Sequence, residues 1–255
     1  MNNISNIKQI INNSDVIIIT AGAGIGVDSG LPDFRSNDGF WKTDLKYEQI
    51  ANPKMLHLRE NDFWDFYNYR LDLYRKTIPH DGFYLLLDLC KSKDDYFVYT
   101  SNVDEQFQKA GFENVYEIHG SIHRLQCSNL ECDNYEYGNS WFNNEPITQK
   151  HVCPKCGETA RPNILLFSDW EWDSKNSDIQ EKEYQSFLER NENKKICIIE
   201  IGAGTKIPSV RYHSEHIFES YDAEFIRINL NETDIPENAY IIQDTALTAL
   251  TKILK

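Results

Sequence analysis

Four β-branched apolar residues, 16–19, run directly into Thr-Ala-Gly-Ala-Gly-Ile-Gly, so a buried strand has to end in a turn built on Gly22, Ala23, Gly24 and Gly26. Residues lacking a Cβ let other groups come close to the backbone, and the N–H groups of such a turn can converge on a phosphate. The plain dinucleotide fingerprint is nevertheless absent. It requires a third glycine where Val27 stands, and an acidic strand end about twenty residues on, where residues 34–44 read as loop. The turn is followed instead by Ser29-Gly30-Leu31-Pro32-Asp33-Phe34-Arg35, a stiff segment carrying a ring and a guanidinium.

Similar apolar runs recur at residues 96–99, 163–167, 196–201 and 224–228, each bounded by polar or glycine-bearing stretches. Such runs read as buried parallel strands. Helical patterns at 83–89 and 180–190 lie between them, which predicts an α/β, doubly wound parallel sheet of Rossmann type. Ligands bind such sheets at the strand C-termini. The glycine turn, residues 102–104, the turn at 202–205 and Asn229 all fall there. Two stretches break the alternation: an aromatic helix pattern at 56–76 and a polar, cysteine-bearing stretch at 126–161. They predict a smaller inserted module, helical over 46–77 and metal-binding over 126–159, beside a nucleotide-binding domain of residues 1–45, 78–125 and 160–255.

The 255 residues suffice for one large domain with an insertion. No apolar run approaches the roughly 20 residues needed to span a bilayer, and residues 1–15 carry no basic lead-in or cleavable apolar core, which predicts a cytoplasmic protein without a membrane partner. A net charge of −14 repels nucleic acid and favours basic peptides, or simply keeps the chain in solution. A monomer is the default expectation.

Cys127 and Cys132 form a C-x4-C pair, and twenty residues on Cys153 and Cys156 form C-x2-C. Two tight knuckles, each turning two sulfurs inward, suit a tetrahedral zinc ion. The alternative is two disulfides, which need an oxidising compartment. Four sulfur ligands leave no open position, so the ion would be structural. Cys90 and Cys197 lie in apolar patterns and read as core thiols.

With these strings in hand, the chain resembles the sirtuins, NAD-dependent protein lysine deacylases. The family's GAGxS…SGxPDFR matches residues 22–35, its TQNxD matches Thr100-Ser101-Asn102-Val103-Asp104, and its E-x-H-G matches Glu117-Ile118-His119-Gly120. Its RPxVVxF strand matches residues 161–167, and its second nucleotide loop falls at 202–208. The resemblance implies NAD as co-substrate and His119 as general base, with Asn102 and Asp104 orienting the nicotinamide ribose and carboxamide. It implies attack of the acyl-lysine oxygen on the ribose as nicotinamide leaves, giving O-acyl-ADP-ribose and free lysine. Cofactor contacts are implied at Gly22, Ala23, Gly24, Gly26, Asp33, Phe34, Arg35, Ser101, Asn102 and Asp104. Further ones are implied at Gly202, Gly204, Thr205, Asn229, Asp244 and Thr245. Ser29 offers another polar contact. His123 matches no family role and is expected at the surface.

Three positions depart from the family: Gly26 stands for serine, Ser101 for glutamine, and Gly202-Ala203-Gly204-Thr205 for a Gly-Thr-Ser loop. Tyr67 and Arg70, at i and i+3 on one helix face, match the Y-x-x-R pair with which one sirtuin class holds an acidic acyl chain. Ala51 falls where that class keeps a small residue. Equally, the pair reads as a packed tyrosine and an ion-paired arginine. The resemblance implies that Phe167-Ser168-Asp169, standing where the family has F-G-E, forms one of the edges that pair with the acylated-lysine peptide. Two other functions fit the same strings: mono-ADP-ribosyl transfer or NAD hydrolysis, and a noncatalytic NAD-sensing module.

Overall fold

Val16 to Ile19 are wholly buried because their strand lies in the middle of a sheet covered on both faces. The structure, a computed structural model, describes residues 4–33, 47–132, 140–144 and 151–255. In chain order it contains α1 (Ile4–Asn13), β1 (Val16–Ala21), a 3-10 helix (Ala23–Ser29), α2 (Tyr47–Ile50), α3 (Met55–Leu58) and α4 (Glu60–Lys76). Next come α5 (Asp81–Lys91), β2 (Asp95–Thr100), α6 (Gln106–Ala110), β3 (Val115–Glu117), β4 (Gly120–Cys127), β5 (Ser140–Phe142) and β6 (Ala160–Ile164). The chain ends with α7 (Lys175–Arg190), β7 (Ile196–Ile201), α8 (Ser209–Ser220), β8 (Glu224–Ile228), β9 (Tyr240–Ile242) and α9 (Ala246–Leu254).

The large sheet has the order β3-β2-β1-β7-β8-β9 and is parallel throughout. The chain winds outward from β1 in one direction, then returns beside it and winds out the other way, so a crevice opens between the ends of β1 and β7. Alternation along β1 divides its side chains between two cores. Ile17 and Ile19 join Ile7, Phe83, Leu86 and Leu250, while Val16 and Ile18 join Tyr184, Phe187, Ile217 and Phe225. Each such side chain contributes about 1.5–3 kcal/mol on burial.

The second sheet, β5-β4-β6, is antiparallel. Its core couples Ile122, Leu125 and Ile164 to Phe63, Trp64, Phe66 and Leu71 of α4. Residues 163–167 are therefore not a parallel strand of the large sheet. Only 163 and 164 are strand, in β6, where Ile164 pairs with Gly120; an apolar run signals burial but not which sheet supplies it. The helical pattern at 56–76 is likewise two helices, since Arg59, at φ −144° and ψ 59°, breaks it between α3 and α4. Among the described residues no helix is long and apolar enough to cross a membrane.

Candidate functional site

The glycines after β1 are required first by another loop. Gly22 N donates to Ile201 O at 3.0 Å and Gly24 N to Gly202 O at 3.1 Å. A Cβ on Gly24 would lie 2.6 Å from Gly202 Cα, and Gly202 itself sits at φ +61°. The two turns thus pack backbone against backbone at the end of β1 and β7, and only the outer edge of this seam can face a ligand. Ala23 and Gly24 are half-buried, whereas Gly26 is buried under Leu31, whose Cβ lies 3.2 Å from where a side chain at 26 would begin. Beyond Gly202, Gly204 is half-buried and Thr205 exposed, just ahead of the N-terminus of α8.

The end of β2 is bonded to the same turn. Thr100 Oγ1 donates to Ala21 O at 2.9 Å, Ser101 N to Ala21 O at 3.2 Å, and Asn102 Nδ2 to Gly22 O at 3.1 Å. His119 follows β3, with Ile118 N bonded to Thr100 O at 3.0 Å. Its half-buried imidazole is hydrogen-bonded to the Ser101 backbone; burial lowers its pKa, and that bond only partly opposes the shift. Neutral imidazole is therefore the prevailing form at neutral pH. Hydrogen bonds through Ala21 and Thr100 join Gly22, Ser101, Asn102 and His119, and the Gly24 bond ties Gly202 to the same turn.

Asp104, nearly buried, accepts from Gln106 N at 3.0 Å. Burial raises its pKa to about 6, against the pull of that amide and of the Arg70 guanidinium. The Glu117 carboxyl is buried deeper, and desolvation lifts it to about 8, so it is mostly protonated at pH 7. His123 is not a surface residue. Its Nε2 lies 3.3 Å from Asp104 O and its Nδ1 3.9 Å from Glu105, because β4 carries it back beneath the α6 turn.

Tyr67 and Arg70 share the buried face of α4. The Arg70 guanidinium donates to Tyr74 Oη from Nε at 3.2 Å and Nη2 at 2.8 Å, and lies 5.5 Å from the Phe66 ring. Ala51 is buried, and its carbonyl accepts from Phe167 N at 2.9 Å. Phe167 and Ser168 are exposed, and Ser168 turns the chain with φ +56°.

Other expected cofactor residues are engaged internally. Asn229 Nδ2 donates to Ala203 O at 2.8 Å while its Oδ1 accepts from Asn231 and Glu232. Asp244 pairs with Lys252 at 2.6 Å, and Thr245 caps α9. Asp33 is half-buried; Phe34, Arg35 and the 34–44 loop lie outside the described residues. The sequence reading missed His80, whose Nδ1 accepts from Gly82 N at 3.0 Å while Nε2 lies 2.9 Å from Ile25 O. Its backbone N donates to Ser29 Oγ at 2.9 Å. His80 thereby ties the start of α5 to the 3-10 helix; histidine is not one of the usual N-cap residues, so no local pattern marks this role.

The four cysteine sulfurs lie within 4.8 Å of one another. Cys127 and Cys156 are 3.6 Å apart and Cys132 and Cys153 3.8 Å apart. Metal–sulfur bonds of about 2.3 Å in a tetrahedron require about 3.8 Å between sulfurs, so the set fits a zinc ion. All four are thiols, not disulfides.

A profile described as Sir2 family matches residues 22–199. A protein of Aquifex aeolicus named NAD-dependent protein deacylase is 29% identical over 241 residues, 93% of each chain. A Pyrococcus furiosus protein of the same name is 32% identical over 168 residues, 64% of this chain and 65% of that one. The fold superposes on the crystal structure of a Sir2 homologue–NAD complex with TM-score 0.79 at 22% identity, covering 98% of this chain and 92% of the other.

Proposed function

The chain belongs to the Sir2 family, and from that premise we propose that it removes acyl groups from protein lysine side chains using NAD as co-substrate. The observation that carries the reading is His119, which follows β3, bonds the Ser101 backbone at the end of β2 and has its pKa lowered by burial. Relatives named NAD-dependent protein deacylase support it.

NAD suits the residues present: half-buried glycine backbone at the β1 turn and the N-terminus of α8 after β7 favour a pyrophosphate. When bound, it supplies an ADP-ribosyl group that accepts the acyl oxygen as nicotinamide departs. His119 then takes a proton from a ribose hydroxyl, a task for which its lowered pKa leaves the ring unprotonated. Asp104 accepts from the carboxamide, and Asn102 holds the β2 loop against the β1 turn. Residues 1–45, 78–125 and 160–255 form the nucleotide-binding domain, and residues 46–77 and 126–159 the small module, whose zinc is structural. On this reading the chain works as a cytoplasmic monomer on acylated-lysine proteins, without nucleic-acid or membrane partners.

Tyr67 and Arg70 make succinyl- or malonyl-lysine the preferred substrate. The buried Arg70 guanidinium on the α4 face supports this, since a carboxylate reaching it meets a guanidinium in low dielectric.

The test is to incubate the protein with NAD and acylated peptides and follow mass. Deacylation consumes one water and yields O-acyl-ADP-ribose, nicotinamide and free lysine, and His119→Ala abolishes it while leaving the melting curve intact. ADP-ribose attached to protein, free ADP-ribose without peptide turnover, or no product would instead establish transfer, NAD hydrolysis or a noncatalytic NAD sensor.

A further inference from the structure

Trp170 is 95% exposed, more than any other described large apolar side chain. The backbone that carries it is not loose. The Asp169 carboxylate, itself buried, accepts from Arg161 at 2.7 Å, from Leu166 N at 3.2 Å and from Glu171 N at 3.1 Å. Gln126 then clamps the far side, donating to Glu171 O at 2.8 Å and accepting from Asp173 N at 3.2 Å. The indole is held out into water by a turn bonded on both sides of it. A ring presented by a fixed turn loses little freedom when a partner covers it, and tryptophan is among the residues enriched at binding anchors.

The turn also stands beside the reaction centre. Leu165 N bonds His119 O at 3.0 Å, and Leu165, Phe167 and Trp170 are the exposed apolar residues that follow. A tryptophan face attracts a cation. Glu171, next to it, is exposed, and the chain carries a net charge of −14. Among the described residues no cation of the protein lies over this ring.

We infer that Trp170 is a specificity residue, reading a lysine or arginine side chain of the substrate a few positions from the acylated lysine. The inference rests on the deacylase reading and adds to it the class of sequence preferred. Because main-chain pairing discriminates little, one such contact would decide much of the choice among peptides.

The experiment compares acylated peptides bearing Arg, Ala or Glu at each of the three positions on either side of the modified lysine. The enzymes are the wild type, Trp170→Phe and Trp170→Ala. The wild type should favour Arg over Ala about fivefold in kcat/KM at one position, through KM, the size of a single cation–π contact. Trp170→Ala should lose that preference while keeping kcat on the Ala peptide, and Trp170→Phe should keep part of it. Equal preference in the wild type and Trp170→Ala would overturn the assignment and leave deacylation standing. No turnover of any peptide would overturn both. A wild-type dimer that Trp170→Ala dissociates in sedimentation would assign the ring to self-association instead.

Discussion

Asn102 Nδ2 donates to the carbonyl of Gly22 across 3.1 Å, joining the loop after β2 to the loop after β1. Asn102→Ala should therefore cost only about 1 kcal/mol of stability but, on the proposed NAD site, at least tenfold in kcat/KM, because the two loops lose their mutual register. Asn102→Asp should be worse on both measures, since an acceptor would face an acceptor. Thermal melts and steady-state kinetics read the two effects separately; an unchanged kcat/KM in the alanine variant would remove Asn102 from the positioning machinery.

Gly24→Ala places a methyl 2.6 Å from Gly202 Cα and 2.9 Å from its carbonyl oxygen, both backbone atoms. Neither can rotate away, so the seam between the two turns must open. The expected loss is about 1–3 kcal/mol in denaturant unfolding, with NAD affinity reduced as well. Gly26→Ser meets only the Leu31 side chain, at 3.2 Å, and should be the milder of the two. A Gly24→Ala protein as stable as the parent would contradict the packing described.

His213 stacks on Tyr99 at 3.7 Å and bonds the Tyr184 hydroxyl at 2.8 Å. Burial first, and His216 second, lower its pKa from 6.5 to about 4. The unfolded chain takes up this proton near pH 6.5 and the folded one does not until about pH 4, so stability falls as pH drops through that window, by about 3 kcal/mol at most. His80 acts in the same direction, its pKa being lowered by burial. Asp104, raised to about 6, opposes them, gaining stability as pH falls from 6 toward its ordinary value of 3.8. Unfolding free energies of wild type and His213→Gln between pH 7 and 4 isolate the term: the slopes should differ, and parallel curves would refute the assignment.

One zinc per chain is expected by elemental analysis. Chelation, or Cys153→Ser, should lower the melting temperature and expose Trp141, which packs against Cys127, Cys132 and Cys153. Metal-free protein with unchanged melting after chelation would leave the thiols as a packing cluster only.

Arg70→Met should reduce turnover of succinyl-lysine peptides about tenfold or more while acetyl-lysine peptides keep most of theirs. The same substitution removes a positive charge that draws on Asp104, so the Asp104 pKa should rise above about 6. Equal rates on both acyl groups, unaltered in the variant, would discard the acyl preference.

Much of the sheet was legible because a strand buried on both faces needs a mostly apolar run, which β1 displays and which β7 and β8 display apart from Glu200 and Arg227, buried as a pair. Strand β9 was not, since three residues carry no period, and β6 was assigned to the wrong sheet because apolarity is silent about partners. The cysteine cluster was readable from spacing, since the geometry of a four-sulfur site is imposed by short local loops.

What the sequence determined by itself was local: which segments are buried, where the chain turns, and which residue types stand together in short motifs. The tertiary structure alone decided that the Gly24 and Gly202 turns interlock, that Asn229 is spent on Ala203, that His80 braces the 3-10 helix after β1 and that Trp170 is held in water. Each of these is a contact between segments distant along the chain or a matter of what is left uncovered. Such relations depend on how two surfaces meet, which no one-dimensional pattern encodes.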